Sequence, residues 1–166
     1  MIVNKYYSEF VYGGVDGLIT TFAIIAGSMG GNLSKKTVIV LGLASIVSDG
    51  FSMGISSYLA EKSRITANNA LEVGFITFFS FINVGIFPLL PFLFNVSYPF
   101  AISSGILAIL LFLLGFLKEF ILFEGLETMV IGGAAAAIAY YVAKSISNYE
   151  YKITKKNDDE SGVNIV

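Results

Sequence analysis

The chain contains neither cysteine nor histidine. That removes disulfides, thiolate metal sites, haem ligation by histidine, and both Ser-His and Cys-His catalysis. Charge is scarce as well: 13% of the 166 residues are Asp, Glu, Lys or Arg, against about 25% in a soluble domain. The net charge is −2 and no basic patch offers itself to nucleic acid. No nucleophile–base set and no HExxH-type site is present, so the sequence does not read as an enzyme. With thiols and imidazoles absent, a metal ion could meet only carboxylates, amides, hydroxyls, backbone carbonyls or methionine sulfur.

What the chain has in abundance is apolar side chains. They make up 55% of it, with a mean hydropathy of +0.78, and they come in blocks rather than in amphipathic patterns. About 20 apolar residues suffice for a helix to cross a hydrocarbon core of about 30 Å. Five blocks of that size are predicted as transmembrane helices, at residues 11–30, 37–60, 71–94, 100–117 and 125–146. The predicted fold is therefore an all-α membrane bundle over residues 1–146, with a polar, flexible tail at 147–166. A β-barrel would need alternation over strands of about ten residues, and these blocks do not alternate. The N-terminus lacks the basic region and cleavage site of a signal peptide, so the first block is expected to stay in the membrane. Pro88 and Pro91 predict a kink at the end of the third helix. Gly50 and Gly54, and Gly133 and Ala137, are spaced for close helix packing. Basic residues come near to balance between the two sides, tilted only by the lysines of the tail, so charge alone sets no orientation.

Against this apolar background two acidic residues stand out. If Asp16 were an N-cap, only about 14 residues would remain before Gly31, too few for a span. The first helix should therefore begin near Phe10 and carry Asp16 inside it. Asp49 lies near the middle of the second block. On a helix Asp49, Ser52, Met53 and Ser56 fall at i, i+3, i+4 and i+7, a stripe of one carboxylate, one thioether and two hydroxyls. Carboxylates at bilayer depth are costly and mark ion pathways or proton relays. No Lys or Arg lies within a block to neutralise them, so they are either protonated or they meet a cation. Hard oxygens suit Mn²⁺, Fe²⁺, Mg²⁺ or Ca²⁺, and a thioether shifts the preference towards transition metals. Ligation requires deprotonation, which gives a physical basis for exchanging metal against protons. Thr20, Ser52, Ser56 and Asn83 are candidate lining residues, together with Thr21, Ser45 and Ser80. Five helices, one of them strongly lipophilic, can hardly enclose a wet path. A two-fold homodimer would supply four carboxylates and two thioethers.

The segment Asp16-Gly17-Leu18-Ile19-Thr20-Thr21, the second helix reading Ser48-Asp49-Gly50-Phe51-Ser52-Met53-Gly54 and ending in Tyr58, and Pro88-Leu89-Leu90-Pro91 closing the third helix occur in order on successive helices. Together they resemble the vacuolar iron transporter family over nearly the whole chain. The resemblance implies a homodimer whose cation path runs between subunits, built from helices one and two of each. It implies export of Fe²⁺ or Mn²⁺ from the cytosol, into a storage compartment or out of the cell, in exchange for protons. The metal would then be substrate, with no resident cofactor. The implied location is a cell membrane or a storage-compartment membrane, with the N-terminus and the connector between helices two and three in the cytosol. By motif, Asp16, Asp49 and Met53 fall on pathway positions. Two departures are visible. Many members insert a helical, Glu-rich metal-binding domain where this chain has only Glu61 to Asn69, so that site should be missing. Members also often carry an acidic residue where this chain has Ser57. The alternative function is a non-transporting membrane scaffold whose aspartates are protonated packing elements.

Overall fold

The computed structural model describes residues 6–64, 69–119 and 121–161. Residues 1–5, part of the connector after the second helix (65–68) and the last five residues of the predicted tail lie outside the described residues. The elements are α1 (Tyr7–Gly30), α2 (Lys35–Lys62), α3 (Ala70–Gly85), a 3₁₀ turn at Phe87–Leu89, α4 (Leu90–Leu93), α5 (Pro99–Glu119) and α6 (Leu122–Ser161). No strand occurs among the described residues. Five segments are long and apolar enough to cross a bilayer: Tyr7–Gly30, Lys35–Lys62, Ala70–Leu93, Pro99–Leu117 and Leu122–Thr154. The protein is a multi-pass membrane protein, and all five predicted spans are present.

The hairpin of α1 and α2 is closed by a short turn in which Asn32 takes the left-handed conformation, φ 56°, one that asparagine tolerates. Ser34 caps α2, its Oγ accepting from the Thr37 N–H at 3.1 Å. This supplies one of the bonds that a helix start leaves open. The break predicted at the prolines is the 3₁₀ turn and α4. The opening it leaves in the helix ladder is partly closed by α5: the buried Ser103 Oγ donates to the Pro88 carbonyl at 2.6 Å.

α1 is the central helix and packs against α2, α3, α5 and α6. Its inward residues Leu18, Phe22 and Ile25 join Ile46, Leu89, Phe92, Leu107 and Leu111 in one buried core. In lipid no hydrophobic force drives helix against helix, so close backbone approach supplies much of the attraction. Gly17 sits so near α3 that a Cβ there would stand 2.4 Å from the Phe81 carbonyl oxygen. Gly54 of α2 likewise abuts Phe78 and Gly74. The other predicted small-residue face behaves differently. Gly132 packs on Leu111, whereas Gly133 has nothing within 4 Å inside the chain.

The largest difference from the sequence reading is at the C-terminal end. The fifth span is predicted to stop at Ile146, yet α6 continues as helix through residues 147–161. A polar sequence rules out burial and says little against helix, and this stretch has no proline or glycine to stop one before Gly162.

Candidate functional site: a polar seam along the first helical hairpin

The turn between α1 and α2 sets the depth of the aspartates. Asp16 precedes Gly30, the end of α1, by fourteen residues, and Asp49 follows Lys35, the start of α2, by fourteen. At about 1.5 Å per residue both stand roughly 21 Å from the turn, at one level on adjoining antiparallel helices. Both are half-buried. By the same count Tyr12 falls level with Met53, and Glu9 with Ser56.

The surface of α2 divides into three strips. Val38, Gly42, Ile46, Gly50 and Gly54 form a narrow buried ridge facing α3 and Leu89. A second strip, with Val40, Val47, Phe51 and Ile55, is exposed and wholly apolar, as lipid requires. The third holds Ser45, Asp49, Ser52, Met53 and Ser56, with Ser52 and Ser56 exposed and Met53 half-buried. A helix turning about 100° per residue puts these five on one side, away from the apolar strip. Asp49 is oriented from its own helix: Ser45 Oγ donates to Oδ2, and Ser48 Oγ lies 3.3 Å from Oδ1. On α1, Asp16 and Thr20 are one turn apart and partly buried, with the exposed Tyr12 one turn before them.

Thus the structure brings Asp16, Thr20, Asp49, Ser52, Met53 and Ser56 onto one seam. It does not bring Asn83 there. Asn83 is exposed on the face of α3 that carries Phe75 and Phe79, and its Nδ2 donates to the Phe79 carbonyl at 2.8 Å. The amide is satisfied by its own helix. Thr21, Thr77 and Ser80 are buried among the helices, Thr77 and Ser80 bonding back to α3 carbonyls. Among the described residues no three His, Cys, Asp or Glu side chains converge on a point, and at the depth of Asp16 and Asp49 a single copy offers those two carboxylates.

At the end away from the hairpin turn the seam opens into a cleft of about 270 Å³ lined by Ser8, Glu9, Tyr12, Ser57, Ala60, Glu61, Arg64 and Val73. Glu61 and Arg64 form an ion pair of 2.8 Å. Glu9 and Tyr12 escape a reading by sequence alone. They join the seam only through the register of α1 against α2, although Glu9 lies two helical turns before Asp16.

The sequence profile of the VIT family matches residues 7–72 and 64–144. The vacuolar iron transporter of Toxoplasma gondii is 40% identical over 72 residues, 42% of this chain and 24% of that protein. Vacuolar iron transporter 1 of Arabidopsis thaliana is 40% identical over 56 residues, covering 34% and 22% respectively. The vacuolar iron transporter of Plasmodium berghei is 36% identical over 62 residues, covering 37% and 23%. Each match spans about a quarter of the relative's length. With the family profile extending over all but the ends of a five-span bundle whose aspartates share one seam, the chain belongs to the VIT family.

Proposed function

We propose that the protein carries divalent transition-metal ions, Fe²⁺ or Mn²⁺, across its membrane along the seam of α1 and α2, in exchange for protons. The observation that carries this reading is the level placement of Asp16 and Asp49 on a face of the hairpin distinct from the lipid-facing strip. An exposed polar strip at bilayer depth is costly against hydrocarbon. A second copy related by two-fold symmetry would cover it and present four carboxylates and two Met53 thioethers to one ion. Carboxylate oxygens with a thioether favour Fe²⁺ or Mn²⁺ over hard alkaline-earth ions. Each ligand carboxylate must lose its proton to bind and can regain one when the ion leaves. Cargo released on the far side is thus replaced by protons. The membrane is that of a cell or an organelle, and the direction in this reading is out of the cytosol.

Flux into proteoliposomes tests it. Purified protein should admit Fe²⁺ or Mn²⁺, and Asp49→Asn, which keeps shape and removes charge, should abolish uptake. Equal flux in parent and variant would reject the reading and leave a scaffold with protonated aspartates.

A further inference from the structure

The cleft at the open end of the seam has a feature that transport along the aspartates does not use. Ser57 and Glu61 lie on the last turns of α2 and Arg64 stands two residues beyond its end, at i, i+4 and i+7, and they share the cleft with Glu9 and Tyr12 from the first turns of α1. Glu61 is tucked in, its side chain 12% exposed, whereas Arg64 is 68% exposed and holds Glu61 at 2.8 Å. Counting along the two helices, the cleft lies directly beyond the Tyr12–Met53 level, and so beyond the aspartates. α2 has 28 residues, about 42 Å of helix, so this end reaches past the hydrocarbon into water. A cation approaching from this side meets a recess with two carboxylates, one of them already neutralised by a tethered guanidinium.

We propose that Arg64 is a resident counter-charge that sets cation admission to this cleft: it occupies Glu61, repels an arriving divalent ion, and must swing aside for the ion to pass. Its position permits this. An exposed side chain whose ion-pair partner among the described residues is Glu61, at i−3, gains little from that pair and can reorient at small cost. A unit charge roughly 7 Å away in water changes the local concentration of a monovalent ion by about threefold and of a divalent ion by about sevenfold. The effect is strongest at low ionic strength. Arg64 therefore sets how much metal half-saturates transport, without touching the ion at the aspartates. The proposal rests on the transport reading, and the experiment separates the two.

The absence of native cysteine supplies the probe. Ser57→Cys puts a single thiol in the cleft. Its reaction rates with a trimethylammonium-bearing and a sulfonate-bearing methanethiosulfonate are measured at low ionic strength, with Arg64 intact and with Arg64→Gln. The ratio of cationic to anionic rates should rise about sevenfold in Arg64→Gln and return to the parental value in Arg64→Lys. In proteoliposomes Arg64→Gln should lower the half-saturating Mn²⁺ concentration several-fold with the maximal rate kept, and Glu61→Gln should raise it. A rate ratio that does not move overturns the proposal. A ratio that moves while half-saturation stays fixed in a flux-competent protein also overturns it, because the cleft is then not the way in. A parent that lacks flux dependent on Asp49 removes the transport reading itself, and the admission role with it.

Discussion

Gly17 shows how much a single missing methyl group decides in this bundle. Because a Cβ at that position would lie 2.4 Å from the Phe81 carbonyl oxygen, Gly17→Ala must push α1 from α3 or distort one of them. Overpacking of this kind costs about 1–3 kcal/mol. Thermal unfolding in detergent should show a clear drop in Tm, whereas Gly133→Ala, with open space around it, should leave Tm unchanged. Gly17 is also the residue after Asp16, so a shift there would move the carboxylate as well as the crossing. At this scale the aspartates were legible from sequence because depth in an apolar block is a matter of counting. Asn83 was not, since residue type does not tell whether an amide looks across a bundle or back to its own carbonyls.

Among the elements, the broken third span depends on a bond from its neighbour. Its prolines interrupt the backbone ladder at bilayer depth, where no water can complete it, and Ser103 of α5 donates to the carbonyl of Pro88. Ser103→Ala leaves that buried acceptor short of a partner, at a cost of about 1–3 kcal/mol. It should lower Tm, and protection from hydrogen exchange should fall first around α4. The break was readable from Pro88 and Pro91 alone; its repair was not, because Ser103 lies fifteen residues on in a block that otherwise reads as plain lipophilic helix. The overrun of α6 was hidden for another reason. Hydropathy reports where a helix leaves the membrane, and helical structure is free to persist beyond that point.

For the whole molecule, the three strips of α2 make the two-fold assembly testable. A thiol introduced on the polar strip should meet its counterpart across the seam, and one on the apolar strip should face lipid. Under mild oxidation Ser52→Cys should give a disulfide-linked species at twice the 17.9 kDa chain mass. Ile55→Cys should remain at the mass of one chain. The reverse pattern would put the lipid face in the interface and leave the aspartates without the cover proposed for them. Sequence alone reaches the number of spans and the identity of the acidic pair. The register of one helix against the next, on which the seam and its cleft depend, comes from packing.

The length of α6 has a consequence for the side of the membrane opposite the N-terminus. A Cβ on Gly30, the last residue of α1, would stand 2.3 Å from the carbonyl oxygen of Tyr140, so α6 is already at the level of the hairpin turn there. Between Tyr140 and Ser161 lie twenty-one more residues of unbroken helix, about 31 Å at the usual rise. On that side α6 therefore outruns the rest of the bundle by a length of helix about equal to the thickness of the hydrocarbon.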